Sequence, residues 1–280
     1  MTLFTDKQYY IDQFLVDKMD LAIERYNHNR DSLFICDGSE GDGKSTMTFG
    51  LAYYIAWKMK KTFTVDNVFF DVEKMMKFAS EKEGQIIIWD EACTMGMATS
   101  WQNRIQQKLI KVLMMTRKKK HFFFFNIPKF RKLNEYIVDR SVGLIHVYSP
   151  DMIRQGSFVY FKKDQKDFLY EMQKERGKKT YKMGWSFRGT FSNPKDIIDE
   201  VEYDKRKDQA ILDIFKDEKP GNDGKYKKML DEYRRNIALC EGYTLKERAK
   251  MVGVTEKTIS KWKNTLIDHP VEFKPTMGTA

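Results

Sequence analysis

The sequence predicts an α/β chain, a mainly parallel sheet flanked by helices, followed by a small all-α domain. Three observations carry that expectation. Strand-length apolar runs alternate with helix-length amphipathic segments as far as residue 149, the order of β-α-β units. The runs are continuously apolar rather than alternating, as strands buried on both faces are. Past a Pro, Gly, Asn and Asp-rich stretch at 217–226, only helical spacing is found.

The elements follow in order. Between Gln8 and Asn29, Ile11, Phe14, Leu15, Met19, Ala22, Ile23 and Tyr26 recur at helical spacing. "SLFICD" (32–37) is a strand, and "KSTMTFGLAYYIAWKMKK" after a glycine-rich loop is a helix. "NVFF" (67–70) is a second strand, Asp71 caps a helix over "VEKMMKFASEKE", and "QIIIWDE" (85–91) is a third strand. Trp101 to Met115 is helical, and "HFFFFN" (121–126) and "GLIHVYS" (143–149) supply two more strands. Beyond Pro150, "SFVYFKK" suggests an edge strand, 165–176 a short helix, "YKMGWSFRGTF" an aromatic strand or hairpin, and 196–216 a helix.

Bulk composition narrows the class. No apolar run approaches the roughly 20 residues needed to cross a bilayer, and the first residues, with Asp6, Lys7 and Asp12 among apolar ones, lack the pattern of a secretory signal. A cytoplasmic protein without membrane insertion is expected. Cys36, Cys93 and Cys240 lie far apart with no Cys-x-x-Cys pair, which suggests buried small hydrophobes rather than zinc ligands or disulfides. A net charge of +10 fits a polyanionic partner or a merely basic surface.

The chemistry concentrates in two stretches. Gly38-Ser39-Glu40-Gly41-Asp42-Gly43-Lys44-Ser45 meets the pattern Gly-x4-Gly-Lys-Ser between a strand and a helix. Glycines let successive backbone N–H groups turn around phosphate oxygens, and the helix presents its positive end to the same anion. Lys44 is then placed to reach the β- and γ-phosphates of ATP, Ser45 to put its hydroxyl on Mg²⁺, and Thr46 to add an α-phosphate contact. A Gly-rich connection with a chance lysine is the plainer reading. "IIIWDE" opposes it, because a strand ending in two acids delivers Asp90 to the sheet edge where open α/β sheets bind ligands. Asp90 would hold the magnesium through water, and Glu91 would orient or deprotonate an attacking water. Glu40 and Asp42 have no role in this scheme; beside a polyphosphate they cost affinity unless they point away.

With these motifs in place, the chain resembles the additional-strand P-loop ATPases over residues 30–150, with "GSEGDGKS" as Walker A and "IIIWDE" as Walker B. "MMTRKKKHFFFFN" is similar to the FtsK and HerA type of DNA-pumping ATPase. That resemblance implies that Arg117 reaches a neighbouring subunit's nucleotide and that Asn126 senses the γ-phosphate. Those families usually carry glutamine at the second place. Arg104 and Arg140 are rival fingers, and Arg117 to Lys120 also reads as a DNA-contacting or solvated face. A looser likeness extends to zonular-occludens-toxin-like proteins and phage packaging ATPases. It implies a homo-oligomeric ring.

The last segment resembles a helix-turn-helix. "YTLKERAKMVGVTEKTISKWKNTL" offers Thr244 as an N-cap, Leu245, Ala249 and Met251 as an inner face, Gly253 in the turn, and Thr255 capping a second helix with Ile259 and Trp262. A preceding helix is expected over 225–240. Thr255, Lys257, Thr258, Lys261 and Lys263 would face the phosphates and base edges of double-stranded DNA. Residues 225–280 hold 12 basic and 7 acidic residues, which favours DNA over a plain helical interaction bundle. The expected layout is an ATPase domain over 1–216 with its core at 30–150 and an extension at 151–216, a linker at 217–226, and a helix-turn-helix domain at 227–280. The expected activity is a Mg²⁺-dependent DNA motor or remodeller of a phage or mobile element, with a phage portal or replication protein as partner. A helicase-loader or transposition-regulator switch and a nucleotide-sensing DNA-binding regulator are the alternatives.

Overall fold

The computed structural model describes residues 9–90, 99–150, 156–175, 177, 180–182, 184–193, 196–217, 244–252 and 254–260. The chain forms two compact units, Met1–Ile211 and Leu212–Ala280. The first runs α1 (Gln13–Asn27), β1 (Ser32–Asp37), α2 (Lys44–Lys58), β2 (Val68–Phe69), α3 (Val72–Glu81), β3 (Ile86–Asp90), α4 (Thr99–Met115) and β4 (Phe122–Ile127). It continues through α5 (Glu135–Arg140), β5 (Gly143–Tyr148), β6 (Ser157–Lys162), α6 (Lys163–Glu175) and β7 (Phe187–Thr190), and α7 (Glu200–Asp217) begins in it and ends past Ile211.

The seven strands make one sheet in the order β2-β3-β4-β1-β5-β6-β7. The first five are parallel, and β6 is antiparallel to both β5 and β7. β4 is therefore inserted between β1 and β3, with Phe125 opposite both Ile35 and Trp89 and Asn126 opposite both Cys36 and Asp90. The mixed sheet flanked by helices is consistent with a P-loop NTPase-like fold. "SFVYFKK" is a correction: it pairs on both sides rather than forming an edge, because β7 lies outside it.

The continuous apolar runs explain the layering. In β4, Phe122 and Phe124 pack in the layer that holds α1 and α2, while Phe123 and Phe125 pack in the layer of α3, α4, α5 and α6. All four rings are buried, each contributing roughly 2 kcal/mol from its removal from water. Sheet edges are closed in two ways. β2 is two residues long, and the β7 side meets residues 10–14, where Tyr10 and Ser192 exchange hydrogen bonds and Phe14 packs on Phe187.

Local caps match the sequence chemistry. The Asp71 carboxylate accepts from the N–H groups of Glu73 and Lys74, and Asp12 caps α1, which begins at Gln13, five residues after the start of the periodic stretch. α7 starts at Glu200 and runs through Asp217, so the first residue assigned to the linker is helical. Cys36 is buried; Cys93 and Cys240 lie outside the described residues.

In the second unit, α8 (Leu245–Val252) begins with a reciprocal cap. The Thr244 hydroxyl accepts from the Glu247 N–H, and the Glu247 carboxylate accepts from the Thr244 N–H at 2.8 Å. Residues 256–260 are helical again, with the Thr258 N–H donating to the Thr255 hydroxyl. Ala249 and Ile259 are buried, whereas Leu245 is exposed and does not join an inner face. The helix expected at 225–240, and Trp262, lie outside the described residues.

His121, at the start of β4, ties two neighbouring elements together. Its Nδ1 accepts from the Gln85 N–H at 3.1 Å, so its Nε2–H donates to the Ala79 carbonyl at 2.8 Å, and burial lowers its pKa to about 4. The unfolded chain binds this proton below pH 6.5 and the folded chain refuses it until about pH 4. Stability therefore falls as pH drops through that window, by up to roughly 3 kcal/mol from this residue. Urea midpoints measured between pH 7 and 4 should decline more steeply in the natural protein than in His121→Gln; equal slopes would refute this assignment.

Candidate functional site

The loop from β1 to α2 owes its path to glycine. Gly38 has a φ of 153°, and a Cβ there would drive into the Val147 carbonyl oxygen at the end of β5. Gly43 has a φ of 97° and caps α2 without any side-chain hydrogen bond. The first N–H groups of α2 therefore stay available to an anion. Inside the loop, Lys44 Nζ donates to the Gly38 and Ser39 carbonyls at 2.9 and 2.7 Å. The Asp42 carboxylate accepts from the Ser39 N–H at 2.8 Å, which gives that acid a structural role within the turn, and Glu40 is exposed. Gly41 is exposed, and Thr46 is half-buried in the first turn of α2.

Ser45 lies in the first turn of α2 and Asp90 ends β3, and their side chains meet. Ser45 Oγ donates to Asp90 Oδ2 at 2.6 Å, and Asp90 is only 6% exposed. Two hard oxygen donors beside a lysine and a bare helix end suit Mg²⁺, which takes one or two protein oxygens and leaves its other positions to water and phosphate. Among the described residues no group of three or more His, Cys, Asp or Glu could hold a metal by itself. The residues present fit a cation held jointly with a nucleotide.

A third group joins this pair. Tyr203, on α7, places its hydroxyl 2.8 Å from Asp90 Oδ2 and 3.3 Å from Ser45 Oγ. Its ring is buried edge-on against Phe49 and tilted against Phe70. Burial first, and then the Asp90 charge, pushes its pKa up, so the O–H remains a donor at neutral pH. Sequence reasoning missed it. Its only signal is an aromatic residue within the charged run "EVEYDKRKD".

Asn126 lies beneath the loop, fully buried between the ends of β1 and β3. Its Nδ2 donates to Thr48 Oγ1 at 3.0 Å, while its Oδ1 has no partner among the described residues. Its amide thus turns to α2. The arginines differ sharply. Arg117, in a short helical turn before β4, and Arg104, on α4, are exposed. Arg140 is paired with Asp31 through its guanidinium and leads into β5, at the sheet edge opposite the glycine loop. Glu91 lies outside the described residues.

A second polar cluster sits on the other face of the sheet. Asp37, the last residue of β1, is fully buried and accepts from the Tyr181 hydroxyl and from the Phe130 N–H, with His146 Nδ1 at 3.0 Å. The Tyr181 ring lies parallel to His146 with centroids 3.5 Å apart. This fixes the residue immediately before Gly38.

In the second unit, Lys257 is exposed, and the hydroxyls of Thr255 and Thr258 lie 2.9 Å apart, bonded to each other rather than turned outward singly. Lys261 and Lys263 lie outside the described residues. No described helix is long and apolar enough to cross a membrane.

No protein-family model matches the chain. No curated protein matches it. Among solved structures, the N-terminal domain of zonular occludens toxin from Neisseria meningitidis is similar at 13% identity and a TM-score of 0.37, covering 60% of this chain and 97% of that one.

Gly38→Ala tests the loop directly. Its Cβ would meet backbone, which cannot swing aside, in a conformation that L residues rarely adopt. A stability loss of roughly 2 kcal/mol is expected, read by thermal unfolding. A variant with unchanged melting temperature would show that the close approach to β5 is not required.

Proposed function

We propose that the chain is a Mg²⁺-dependent ATPase acting on double-stranded DNA as a motor or remodeller, of translocating or packaging type, in a phage or mobile element. The observation that supports the Mg²⁺ and nucleotide part of this reading is the Ser45–Asp90 contact of 2.6 Å beside the glycine loop. A flexible turn ending in Gly-Lys-Ser has no reason to meet a buried acid from another strand. A cation site needs that meeting.

In this reading residues 38–46 hold the phosphates of ATP through backbone N–H groups, and Lys44 offsets their charge. Ser45 directly and Asp90 through water would hold Mg²⁺, whose charge would offset that gathering on the phosphates. Glu91 takes a proton from the attacking water as the γ-phosphorus separates from the oxygen of the departing ADP. Asn126, packed between the two strand ends, acts as the γ-phosphate sensor through its neighbours on α2. Arg117 is the residue offered to an adjacent subunit's nucleotide in a homo-oligomeric ring, and its exposure supports that role over Arg140. The C-terminal unit grips DNA as a helix-turn-helix through Thr255, Lys257, Thr258, Lys261 and Lys263. A phage portal or replication protein in the host cytoplasm is the partner class.

One observation favours a second reading. The bond from Tyr203 to Asp90 ties the metal-holding acid to a helix outside the nucleotide loop, as suits an assembly switch of helicase-loader or transposition-regulator type, or a nucleotide-sensing DNA regulator.

ATP hydrolysis measured with and without double-stranded DNA, beside the mass in solution with ATP, separates these readings. A motor hydrolyses ATP faster on DNA, and Glu91→Gln should keep ATP binding while losing on the order of 100-fold or more of the rate. A sensor keeps ATP-dependent DNA occupancy in that variant. Absence of hydrolysis under every DNA condition would sink the motor, and turnover by a strict monomer would sink the trans role of Arg117.

A further inference from the structure

We infer that Tyr203 is a latch on the cation site: its hydroxyl stands where a cation's bound water would donate to Asp90, so loading with Mg²⁺ and nucleotide releases it. The inference rests on the nucleotide-binding reading above. It concerns how that site is regulated.

Three oxygens meet at this point. Ser45 Oγ and the Tyr203 hydroxyl both donate to Asp90 Oδ2, at 2.6 and 2.8 Å, and lie 3.3 Å from each other. One carboxylate oxygen has two lone pairs, and these two donors use both. A hydrated cation beside Ser45 brings its own O–H donors, which need an acid to receive them. Oδ2, the carboxylate oxygen that faces Ser45, takes no further donor while the phenol remains, which leaves only Oδ1 of this acid as an acceptor.

The pocket around the ring shows that the placement is built. Tyr203 is buried against Phe49 of α2 and Phe70, which follows β2. One turn further, Arg206 pairs with Glu202 on its own helix and with Asp66 before β2. The Arg206 and Glu202 side chains are more than a third exposed, so these ion pairs position α7 at small energetic cost to break. The ring packs and the ion pairs are weak, which is the combination a reversible latch requires. Tyr203 is a positioning residue in this scheme, because it touches the acid and not the nucleotide.

Tyr203→Phe removes the hydroxyl and keeps the ring. Binding of a fluorescent N-methylanthraniloyl ATP analogue to the full chain is measured with Mg²⁺ and with EDTA, for the natural protein, Tyr203→Phe and Lys44→Ala. A latch predicts that Tyr203→Phe tightens Mg²⁺–nucleotide binding about threefold to tenfold, the scale of one hydrogen bond, and leaves binding in EDTA unchanged. It further predicts that amide hydrogen exchange over 200–210 in the natural protein accelerates on adding Mg²⁺ and the nucleotide. Equal or weaker Mg²⁺–nucleotide binding in Tyr203→Phe, or unchanged or slowed exchange over 200–210, overturns the latch. Undiminished binding by Lys44→Ala overturns instead the nucleotide reading on which it stands.

Discussion

The position of β4 governs everything else in the first unit. With a strand between them, the ends of β1 and β3 lie two inter-strand spacings apart, about 10 Å, too far for their own side chains to share a cation. The glycine loop closes that distance. It carries the first turn of α2 back over the end of β4, so that Ser45 reaches Asp90 while Asn126 fills the space beneath. The four phenylalanines of β4 hold this spacing, because each face of the strand is locked into a different helical layer. A strand free to shift by one residue would exchange its faces and move Asn126 away from both strand ends.

The extension after residue 150 takes its meaning from this frame. It contributes two tyrosines, each bonded to a carboxylate at the end of a central strand: Tyr181 to Asp37 on one face and Tyr203 to Asp90 on the other. The glycine loop is thus held from both sides of the sheet by residues far away in sequence. Asp37 and Asp90 differ in consequence. Asp37 is fully buried with several partners, so its cluster fixes the loop's starting point, whereas Asp90 adjoins the residues that would meet phosphate.

Much of the fold was legible because burial on both faces leaves a distinctive mark. "IIIWD" and "FFFFNI" have no solvent face, and such a run fits a strand covered on both sides. The glycine pattern was equally legible, since Gly38 and Gly43 answer to backbone geometry that other residues meet poorly. Strand order was not. Insertion of β4 between β1 and β3 follows from crossover connections, which leave no local trace. Tyr203 and Tyr181 were missed because each has its partner more than a hundred residues away: Tyr203 sits in a charged helix, and Tyr181 opens a stretch read as an aromatic strand, whose strand begins only at Phe187. The exposure of Leu245 shows the converse. An apolar residue at the right period was assigned inward, although a first-turn position beside a cap can face water.

The treatment of the sheet edges bears on assembly. One margin is a two-residue strand and the other is overlaid by residues 10–14, so the described sheet presents little free backbone for another chain to extend. Copies of this chain that associate through the first unit must do so by matching side-chain surfaces. Such contacts slide, tilt and separate without tearing a hydrogen-bond ladder.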